Sequence, residues 1–556
     1  MAFKLFRRSL PFVFLAALSV HAADPNPPGP GMDFAQTPLD ANAEPMQTGK
    51  FQPTWDSLKQ YQVPDWYRNA KFGIWAHWGP QCEPEDGDWY ARKMYQQGSK
   101  PYAEHLAQYG HPSVSGFKDV IHVWKAENWD PEKLVALYKD AGAKFFVALA
   151  DHHDNFDNWD SKYQPWNSVN MGPQKDLIGG WAKAARDNGL PFGVSVHASH
   201  AWSWYEPAQG ADKTGDKAGV AYDGKLTKAD GAGQWWNGYD PQDLYAQNHK
   251  PSRHGNVSDF WAWSDPADVP DNAYCEKFYN RVLDLVNKYH PDILYFDDTV
   301  LPLYPVSDVG MKIAAHFYNS NALWHNGQNQ GVLLGKILND EQKQCMVWDV
   351  ERGASPKIEL YPWQSETCIG NWHYERAIYD HHGYKNSSVV IRTLANVVSK
   401  NGTFLLNIPV RGDGTIDDQE VAIVQNIGKW MKVNGEAIYD TRPWKVCGEG
   451  PSIDKAPAIS AQGFNEKAIK LGVDDIRFTS KGKVLYAIVL GWPTKTVKIK
   501  SLGKNAGLAD GQIADISMVG SDDKISWTQA DDAVSIEPPH TKLFDEATVF
   551  KVTFTP

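Results

Sequence analysis

Asp292-Ile293-Leu294-Tyr295-Phe296-Asp297-Asp298 is the stretch of sequence that decides the fold. After its leading acid the stretch is apolar for four residues, and it then ends in two carboxylates. A buried parallel strand is a continuous apolar run. In a barrel of alternating strands and helices, the carboxyl ends of such strands carry the catalytic residues. The stretch therefore predicts a buried strand that places an acid on a functional face, with a helix N-cap or a loop acid as the alternative.

Similar apolar runs recur along the chain from about Trp66 onward. They lie at 72–77, 144–150, 192–197, 346–350 and 403–408. Helical patterns lie between several of them, and two begin at the N-caps Asp130 and Asp271. This alternation predicts an α/β fold, a (β/α)8-like (TIM) barrel. A doubly wound open sheet is the competing arrangement, but no Gly-rich dinucleotide fingerprint follows the first strand.

The chain divides into four segments of different character. Residues 1–22 read as a signal peptide, with Lys4, Arg7 and Arg8 before a short apolar run and a cleavage site near Ala22. Residues 23–47 form a Pro- and Gly-rich flexible leader, and 48–444 the catalytic barrel. Residues 445–556 alternate in short runs between polar turns, which predicts a C-terminal antiparallel β-sandwich.

Charge and targeting limit the possible partners and the location. The 556 residues carry a formal net charge of −12, which argues against nucleic acid as a partner. The apolar run of the leader is too short to span a bilayer, so we expect no membrane insertion. The signal peptide predicts a secreted or periplasmic protein. The oligomeric state is left open.

Polar residues follow every barrel strand that the sequence reveals. They are His77, the pair His152-His153, His197, the pair Asp297-Asp298, and Glu351. Their convergence on one face predicts a pocket of carboxylates and histidines. Zinc is the rival explanation for the histidines, but no HExxH motif occurs and adjacent residues of one strand point to opposite faces. We therefore expect neither a metal nor another cofactor.

A long segment interrupts the alternation. Residues 203–265 are rich in Gly, Asp, Lys and aromatic residues and have no periodicity. Loops of this length in compact domains are either functional or disordered. Since the segment follows the strand that ends at His197, we expect it to overhang the catalytic face.

Several motifs together resemble the family 29 glycoside hydrolases, the α-L-fucosidases. They are Trp66-Tyr67-Arg68-Asn69-Ala70-Lys71-Phe72-Gly73-Ile74-Trp75-Ala76-His77-Trp78-Gly79, then 141–146 leading to His152-His153-Asp154, then Trp372-His373-Tyr374, and finally 398–407. The resemblance covers about residues 50–440 and implies a barrel followed by a sandwich. It also implies a retaining exo-α-L-fucosidase that releases terminal L-fucose from a fucosylated glycan.

The resemblance assigns roles to individual residues. It places the nucleophile on Asp297, with Asp298 as the alternative, and the acid/base on Glu351, with Glu366 as its rival. The sugar contacts that it implies are His77, Asp88, Trp89, His152, His153, His197, Tyr295 and Trp372. Asp88 stands where the family usually has Glu. His197 is the polar residue at the end of the third strand, after which tyrosines are common in the family.

One further departure from the family pattern and two alternative functions remain. No equivalent is found for an arginine that some members place between nucleophile and acid, and Asn339-Asp340-Glu341 stands there instead. A related exo-glycosidase acting on α-L-galactosides is the first alternative, because a pocket discriminates weakly against one added hydroxyl. The second is a non-catalytic carbohydrate-binding protein. The linkage preference and the tolerance of sulfate cannot be read from the sequence.

Overall fold

Eight parallel strands close into a barrel, which confirms the predicted fold. The computed structural model describes residues 35–253, 261, 263–509 and 511–555. The barrel strands are β1 (Phe72–Ala76), β2 (Phe146–Asp151), β3 (Phe192–Val196), β4 (Ile293–Phe296), β5 (Val332–Gly335), β6 (Val347–Glu351), β7 (Trp363–Cys368) and β8 (Gly402–Asn407). They pair in chain order, and β1 pairs with β8 to close the ring. All carboxyl ends therefore open on one face.

Helices cover the barrel unevenly. The α-helices of the described residues are α1 (Trp55–Leu58), α2 (Asp65–Ala70), α3 (Tyr90–Lys93), α4 (Lys100–Gln108), α5 (Phe117–Val123), α6 (Pro131–Asp140), α7 (Leu177–Asp187), α8 (Ala201–Trp204), α9 (Pro241–Tyr245), α10 (Asn272–Tyr289), α11 (Val309–Trp324), α12 (Arg376–Asp380), α13 (Ser387–Val398), α14 (Asp418–Asn434) and α15 (Pro451–Asp454). The predicted N-caps are confirmed, because Asp130 accepts from the Lys133 amide at the start of α6 and Asp271 from the Tyr274 amide at the start of α10. No α-helix follows β5 or β6, where residues 336–346 and 352–362 connect directly.

The sequence did not reveal β5 and β7. Strand β5 has four residues and no helix after it, so the alternation that marks the other strands is missing. Strand β7 reads Trp-Gln-Ser-Glu-Thr-Cys and is buried along its whole length, although most of it is polar. Gln364 has its partners inside the barrel, where it accepts from the Tyr67 hydroxyl and donates to Asp349. Ser365 points away from the interior and donates to the carbonyl of Gly353. An apolar run is therefore not a requirement for a strand of this barrel.

The C-terminal region contains two antiparallel sheets, as predicted. Its strands are β9 (Arg442–Glu449), β10 (Ile476–Lys481), β11 (Val484–Val489), β12 (Val497–Ile499), β13 (Ile513–Met518), β14 (Trp527–Gln529), β15 (Val534–Ile536) and β16 (Thr548–Phe554). Five strands form one sheet in the order β13-β16-β11-β10-β9, and three form the other in the order β12-β15-β14. Both sheets contribute to one apolar core that includes Phe478, Ile499 and Phe550.

The described part of the predicted leader packs against the barrel. The amide of Thr37 donates to Asp308, that of Glu44 to Asn280 and that of Gln47 to His316. Residues 35–47 thus contact α10 and α11, so the prediction of a flexible leader is wrong for this part, because its backbone donors find buried polar side chains. The signal peptide and the leader up to residue 34 lie outside the described residues.

The long segment 203–265 folds into short pieces rather than one open loop. It contributes α9 and several 3₁₀ turns, and Trp204, Tyr205 and Tyr245 are fully buried. Aromatic packing therefore supplies the order that the sequence periodicity did not reveal; residues 254–260 and 262 lie outside the described part. Among the described residues, no helix has the length and apolar character needed to cross a bilayer.

Candidate active site

The carboxyl ends of β1, β2 and β3 bring four histidines together. The ring of His77 lies 5.1 Å from that of His152 and 4.9 Å from that of His197, and His153 lies 5.8 Å from His197. All four rings are buried. The convergence that the sequence predicted is therefore present, and it forms one wall of the candidate site.

His152 and His153 lie on the same side of the barrel, which the sequence did not predict. Their ring centroids are 4.5 Å apart, and both contact His197. Strand β2 ends at Asp151, so the alternation of side chains along a strand no longer applies to the two residues that follow it. The argument that adjacent histidines would diverge is wrong for this reason.

Asp297 follows the last residue of β4 and contacts three polar side chains. Its Oδ1 lies 2.6 Å from Lys336 Nζ, and its Oδ2 lies 3.1 Å from His197 Nδ1 and 3.3 Å from His153 Nε2. Burial by itself would raise the pKa of Asp297, but the charge of Lys336 and the two histidine contacts hold that pKa well below its ordinary value. Asp297 is therefore a carboxylate, which is the form a nucleophile requires.

Lys336 connects three carboxyl groups and was missed by the sequence analysis. Its Nζ lies 2.6 Å from Asp297, 2.7 Å from Glu351 Oε2 and 3.2 Å from Glu366 Oε1. The lysine is buried, and the neighbouring carboxylates raise its pKa well above the ordinary value against the opposing effect of burial. It follows β5 directly, so a recognised β5 would have revealed it. A lysine thus occupies the place between the predicted nucleophile and the predicted acid, where an arginine was sought near residue 339.

Glu351 and Glu366 differ in their exposure to solvent and in their hydrogen-bond partners. Glu351 ends β6, its side chain is 14% exposed, and its Oε1 accepts from Trp372 Nε1 at 3.3 Å. Glu366 lies inside β7, its side chain is 1% exposed, and its Oε1 accepts from the Tyr295 hydroxyl at 2.8 Å. Burial and the nearby Asp349 raise the pKa of Glu366 well above its ordinary value. Both candidates reach Lys336, but Glu351 is the more accessible of the two.

Asp298 has partners of its own, separate from this cluster. Its side chain accepts from the hydroxyl of Ser199 and from His200 Nε2, and also from the amides of Thr299 and Leu303. It is buried, and these donors satisfy both of its oxygens. Asp298 therefore organises the loop after β4, whereas Asp297 contacts the histidines and Lys336.

The remaining predicted sugar contacts surround the same space. The ring of Trp372 lies 5.7 Å from His77 and that of Trp89 lies 6.2 Å from His153, while Tyr295 reaches Glu366. Asp88 accepts from the backbone amide of His373 at 2.8 Å, so it positions the loop that carries Trp372.

His373 is a second residue that the sequence analysis did not assign to the site. Its ring lies 4.7 Å from His77 and from His152, and neither ring nitrogen has a hydrogen-bond partner among the described residues. The two ring nitrogens of His77 also have no hydrogen-bond partner among the described residues. Two buried rings with four unsatisfied nitrogens need an external partner, because a buried polar group without a hydrogen bond is costly. The one sequence signal for His373 was its place between Trp372 and Tyr374, in a motif that resembles the family.

Burial keeps the imidazoles of His77, His152 and His197 neutral. It lowers the pKa of His77 and His152 well below the ordinary value and lowers that of His197 to about 4, although Asp297 opposes the shift at His197. A neutral imidazole has one donor and one acceptor, which matches a hydroxyl group. Two sets of side chains also bring their ligand atoms within 4.8 Å of one another, a distance that admits a metal ion: His77, His152 and His197, and His153, His197 and Asp297.

A segment beyond the barrel holds the end of β6. The Glu351 amide donates to the carbonyl of Gln462 at 3.1 Å, and the Phe464 amide donates to the Glu351 carbonyl at 2.7 Å. Gly463 lies between them with φ +123°, and a Cβ there would come within 2.2 Å of the Glu351 carbonyl oxygen. Only glycine permits this approach. The backbone of Glu351 is thus fixed by residues that follow the barrel in sequence.

Comparison with known proteins gives matches over most of the chain. A profile described as alpha-L-fucosidase matches residues 39–436, and one described as alpha-L-fucosidase C-terminal domain matches 472–553. The alpha-L-fucosidase of Branchiostoma floridae is 27% identical over 460 residues, which cover 80% of this chain and 82% of the relative. The tissue alpha-L-fucosidase of Homo sapiens is 27% identical over 488 residues, covering 82% and 84%.

A solved structure supports the same fold. The alpha-fucosidase of Thermotoga maritima in complex with fucose has a TM-score of 0.65 and 24% identity, covering 90% of this chain and 100% of that chain. This likeness concerns the fold alone. The first profile, however, spans well over half of the present sequence and includes every residue of the site described above except the supporting segment 462–464. The chain therefore belongs to the alpha-L-fucosidase family and is a glycoside hydrolase.

Proposed function

We propose that this chain is a retaining exo-α-L-fucosidase in which Asp297 is the nucleophile and Glu351 the acid/base. The observation that carries the proposal is their shared contact with Lys336. Asp297 Oδ1 and Glu351 Oε2 lie 2.6 and 2.7 Å from the same nitrogen. The distance between these two oxygens therefore cannot exceed the sum of the two contacts. Retaining glycosidases hold their two carboxyl groups about 5–5.5 Å apart, whereas inverting enzymes need about 6.5–9.5 Å.

In the first step Asp297 attacks the anomeric carbon of the fucosyl group. The glycosidic C–O bond breaks, and Glu351 donates its proton to the leaving oxygen. The low pKa of Asp297 supplies the anion that attacks. The product of this step is a fucosyl ester on Asp297 and an ionised Glu351.

In the second step water replaces Asp297 at the anomeric carbon. Glu351 takes a proton from that water, and the ester bond to Asp297 breaks. Esterified Asp297 no longer carries a charge, so the Lys336 ammonium is left to pair with Glu351. The 2.7 Å contact between Lys336 and Glu351 is therefore the ion pair that remains in the step in which Glu351 acts as a base.

The histidines support recognition of a terminal sugar. His77 and His373 together present four buried ring nitrogens without a hydrogen-bond partner among the described residues, and His373 Nδ1 lies 3.7 Å from Asp88 Oδ1. Hydroxyl groups of a sugar would satisfy them, and the ring of Trp372 lies beside His77 to cover an apolar part of the same sugar. The substrate is a fucosylated glycan, of which the pocket takes the terminal fucose.

Azide rescue tests both assignments. We expect Asp297→Ala to lose hydrolysis of an aryl α-L-fucoside and to form β-fucosyl azide when azide is added. Glu351→Ala should instead form α-fucosyl azide, because azide then attacks the intact ester intermediate. Detection of the opposite anomers, or wild-type turnover with inversion, would contradict the proposal.

Glu366→Gln is the matched control for the acid/base. It keeps an oxygen that can accept from Tyr295 and removes only the ionisable group. We expect this variant to keep hydrolysis with a natural leaving group and to give no α-fucosyl azide. An azide product from Glu366→Gln would exchange the roles of the two glutamates.

We also propose that residues 1–22 are removed during export to the periplasm or the medium. The charged start, the short apolar run and the small residues near Ala22 support this. N-terminal sequencing of the protein from cell fractions should find a start near residue 23 outside the cytoplasm. A start at Met1 in the cytoplasmic fraction would contradict it.

A further inference from the structure

A second cavity lies directly beside the acid/base. It has a volume of about 420 Å³ and is enclosed by β7, α13 and residues 466–471. Arg352, the residue after Glu351, forms part of its wall. On β7, Ser365 and Thr367 face this cavity, whereas Glu366 between them contacts Lys336 in the active site.

The cavity is strongly basic in a chain that is acidic overall. Its walls include the cations Arg352, Lys385, Arg392, Lys467 and Lys470, and the carboxylate Glu466. The formal net charge of the whole chain is −12. A local excess of positive charge on such a protein marks a place where an anion is favoured.

Among the described residues, Lys385 is the one cation of this set that is paired with a carboxylate. Lys385 Nζ lies 2.5 Å from Glu466 Oε1 and 2.7 Å from Thr367 Oγ1. Arg392 donates to the backbone carbonyls of Asp545 and Glu546, which leave its charge uncompensated. Within the described ranges, no carboxylate lies within ion-pair distance of Arg352, Arg392, Lys467 or Lys470.

Arg352 joins this cavity to the catalytic site. Its guanidinium lies 4.9 Å from the ring of Trp372, and Trp372 Nε1 donates to Glu351 at 3.3 Å. The acid/base must contact the leaving oxygen, so the sugar that carried the fucose lies next to Glu351. Arg352 lines the cavity and also contacts Trp372, so it is the side chain that connects the position of that sugar to the cavity.

We propose that this cavity binds an anionic group, a sulfate ester or a carboxylate, on the glycan from which fucose is released. Guanidinium and ammonium groups are the side chains that recognise such oxyanions. The apolar walls at Val389, Ile469 and Leu471 would contact the faces of the sugar that carries it. The inference rests on the proposed function and names a substrate class for the same site.

Matched substrates and variants test the inference. The substrates are three fucosylated oligosaccharides that differ only next to the fucose, with a neutral sugar, a uronate or a sulfate ester, and an aryl α-L-fucoside serves as reference. For Lys467→Gln/Lys470→Gln we expect kcat/KM to fall about tenfold or more on an anionic substrate and to stay unchanged on the neutral ones. Added salt should reduce the wild-type advantage of the anionic substrate, because exposed charges are screened.

Lys495→Gln/Lys498→Gln is the matched control, since it removes the same charge from the sheet that contains β12. An effect on the sulfate substrate alone or on the uronate alone identifies which anion is bound. Equal effects of both double variants, or no wild-type preference for either anionic substrate, would overturn the inference. Wild-type failure on the aryl fucoside would instead contradict the proposed function.

Discussion

The two halves of the barrel end in chemically different residues. After β1 to β3 come the members of the histidine half, His77, His152, His153 and His197. After or within β4 to β7 come those of the charged half, Asp297, Lys336, Glu351 and Glu366. Both halves are largely buried. Burial lowers the pKa of His77, His152 and His197, so these rings are neutral, whereas Asp297 and Lys336 are ions.

Pairing explains the difference. Burial removes the proton from an imidazole that has no strong anionic partner, and the pKa of His77 falls accordingly. In the charged half, the same burial is offset by direct contacts between Lys336 and the carboxylates. In the proposed function, the neutral rings hydrogen-bond to the hydroxyl groups of the sugar, and the charged half supplies the groups that cleave the glycosidic bond.

Lys336→Met gives the largest effect among the changes to this arrangement. It removes the cation that holds Asp297 ionised and leaves the carboxyl groups to repel one another. We expect kcat to fall about 10²- to 10³-fold, comparable to the loss of one preorganised electrostatic contact. Steady-state kinetics on an aryl α-L-fucoside measure it.

Lys336→Arg keeps the charge and is the control for that change. It should recover most of the rate, and thermal unfolding of both variants separates lost activity from lost structure. A Met variant that is folded and fully active would mean that the charged half does not depend on its lysine.

His77→Gln gives a smaller effect, expressed in KM. The variant keeps a polar group but moves its hydrogen-bonding atoms, so contacts made equally in the bound substrate and the transition state are lost. We expect KM to rise about tenfold, which corresponds to about 1.4 kcal/mol, with kcat little changed. An equal fall in kcat would place His77 in the chemical step.

The pH dependence of KM checks the same half in the wild type. Because the pKa of His197 is about 4 and those of His77 and His152 lie well below 6.5, the rings are neutral throughout the neutral range. KM should stay flat as the pH falls through 6.5 and should rise only near pH 4, when His197 gains a proton. A change in KM centred near 6.5 would contradict neutral, buried imidazoles.

Removal of metal should have no effect at all. The two sets of ligand atoms within 4.8 Å admit an ion by distance, and both include a histidine of the predicted sugar site. We expect prolonged dialysis against a chelator to leave kcat and KM unchanged. Loss of activity that Zn²⁺ restores would make the histidine half a metal site.

The sequence predicted the parts of this site that strong local patterns mark. The run 292–296 with its two terminal acids identified β4 and brought Asp297 to the correct edge of the barrel. The sequence also revealed the strands before His77, His152 and His197, because each of these strands is a buried apolar run. The same pattern placed Glu351 at the end of a strand, and the family resemblance assigned it the role of acid/base.

Other parts depended on contacts that no local pattern carries. Strand β7 is polar because Gln364 and Glu366 find partners across the barrel, and β5 is too short to be recognised. Lys336 was not identified because it directly follows β5, which was itself not recognised. The relation of His152 to His153 depended on where β2 ends, and a one-residue difference in a strand end reverses the predicted direction of a side chain.

The pairing of Gly463 with Glu351 makes the boundary between the two domains a poor place to cut. Residues 462–464 lie outside the barrel sequence, yet they fix the backbone of the proposed acid/base. A fragment that ends at residue 444 would retain all eight barrel strands and lose this support. For protein engineering, the catalytic module extends into the C-terminal region. An exchange of domains between relatives should therefore keep residues 462–464 together with the barrel.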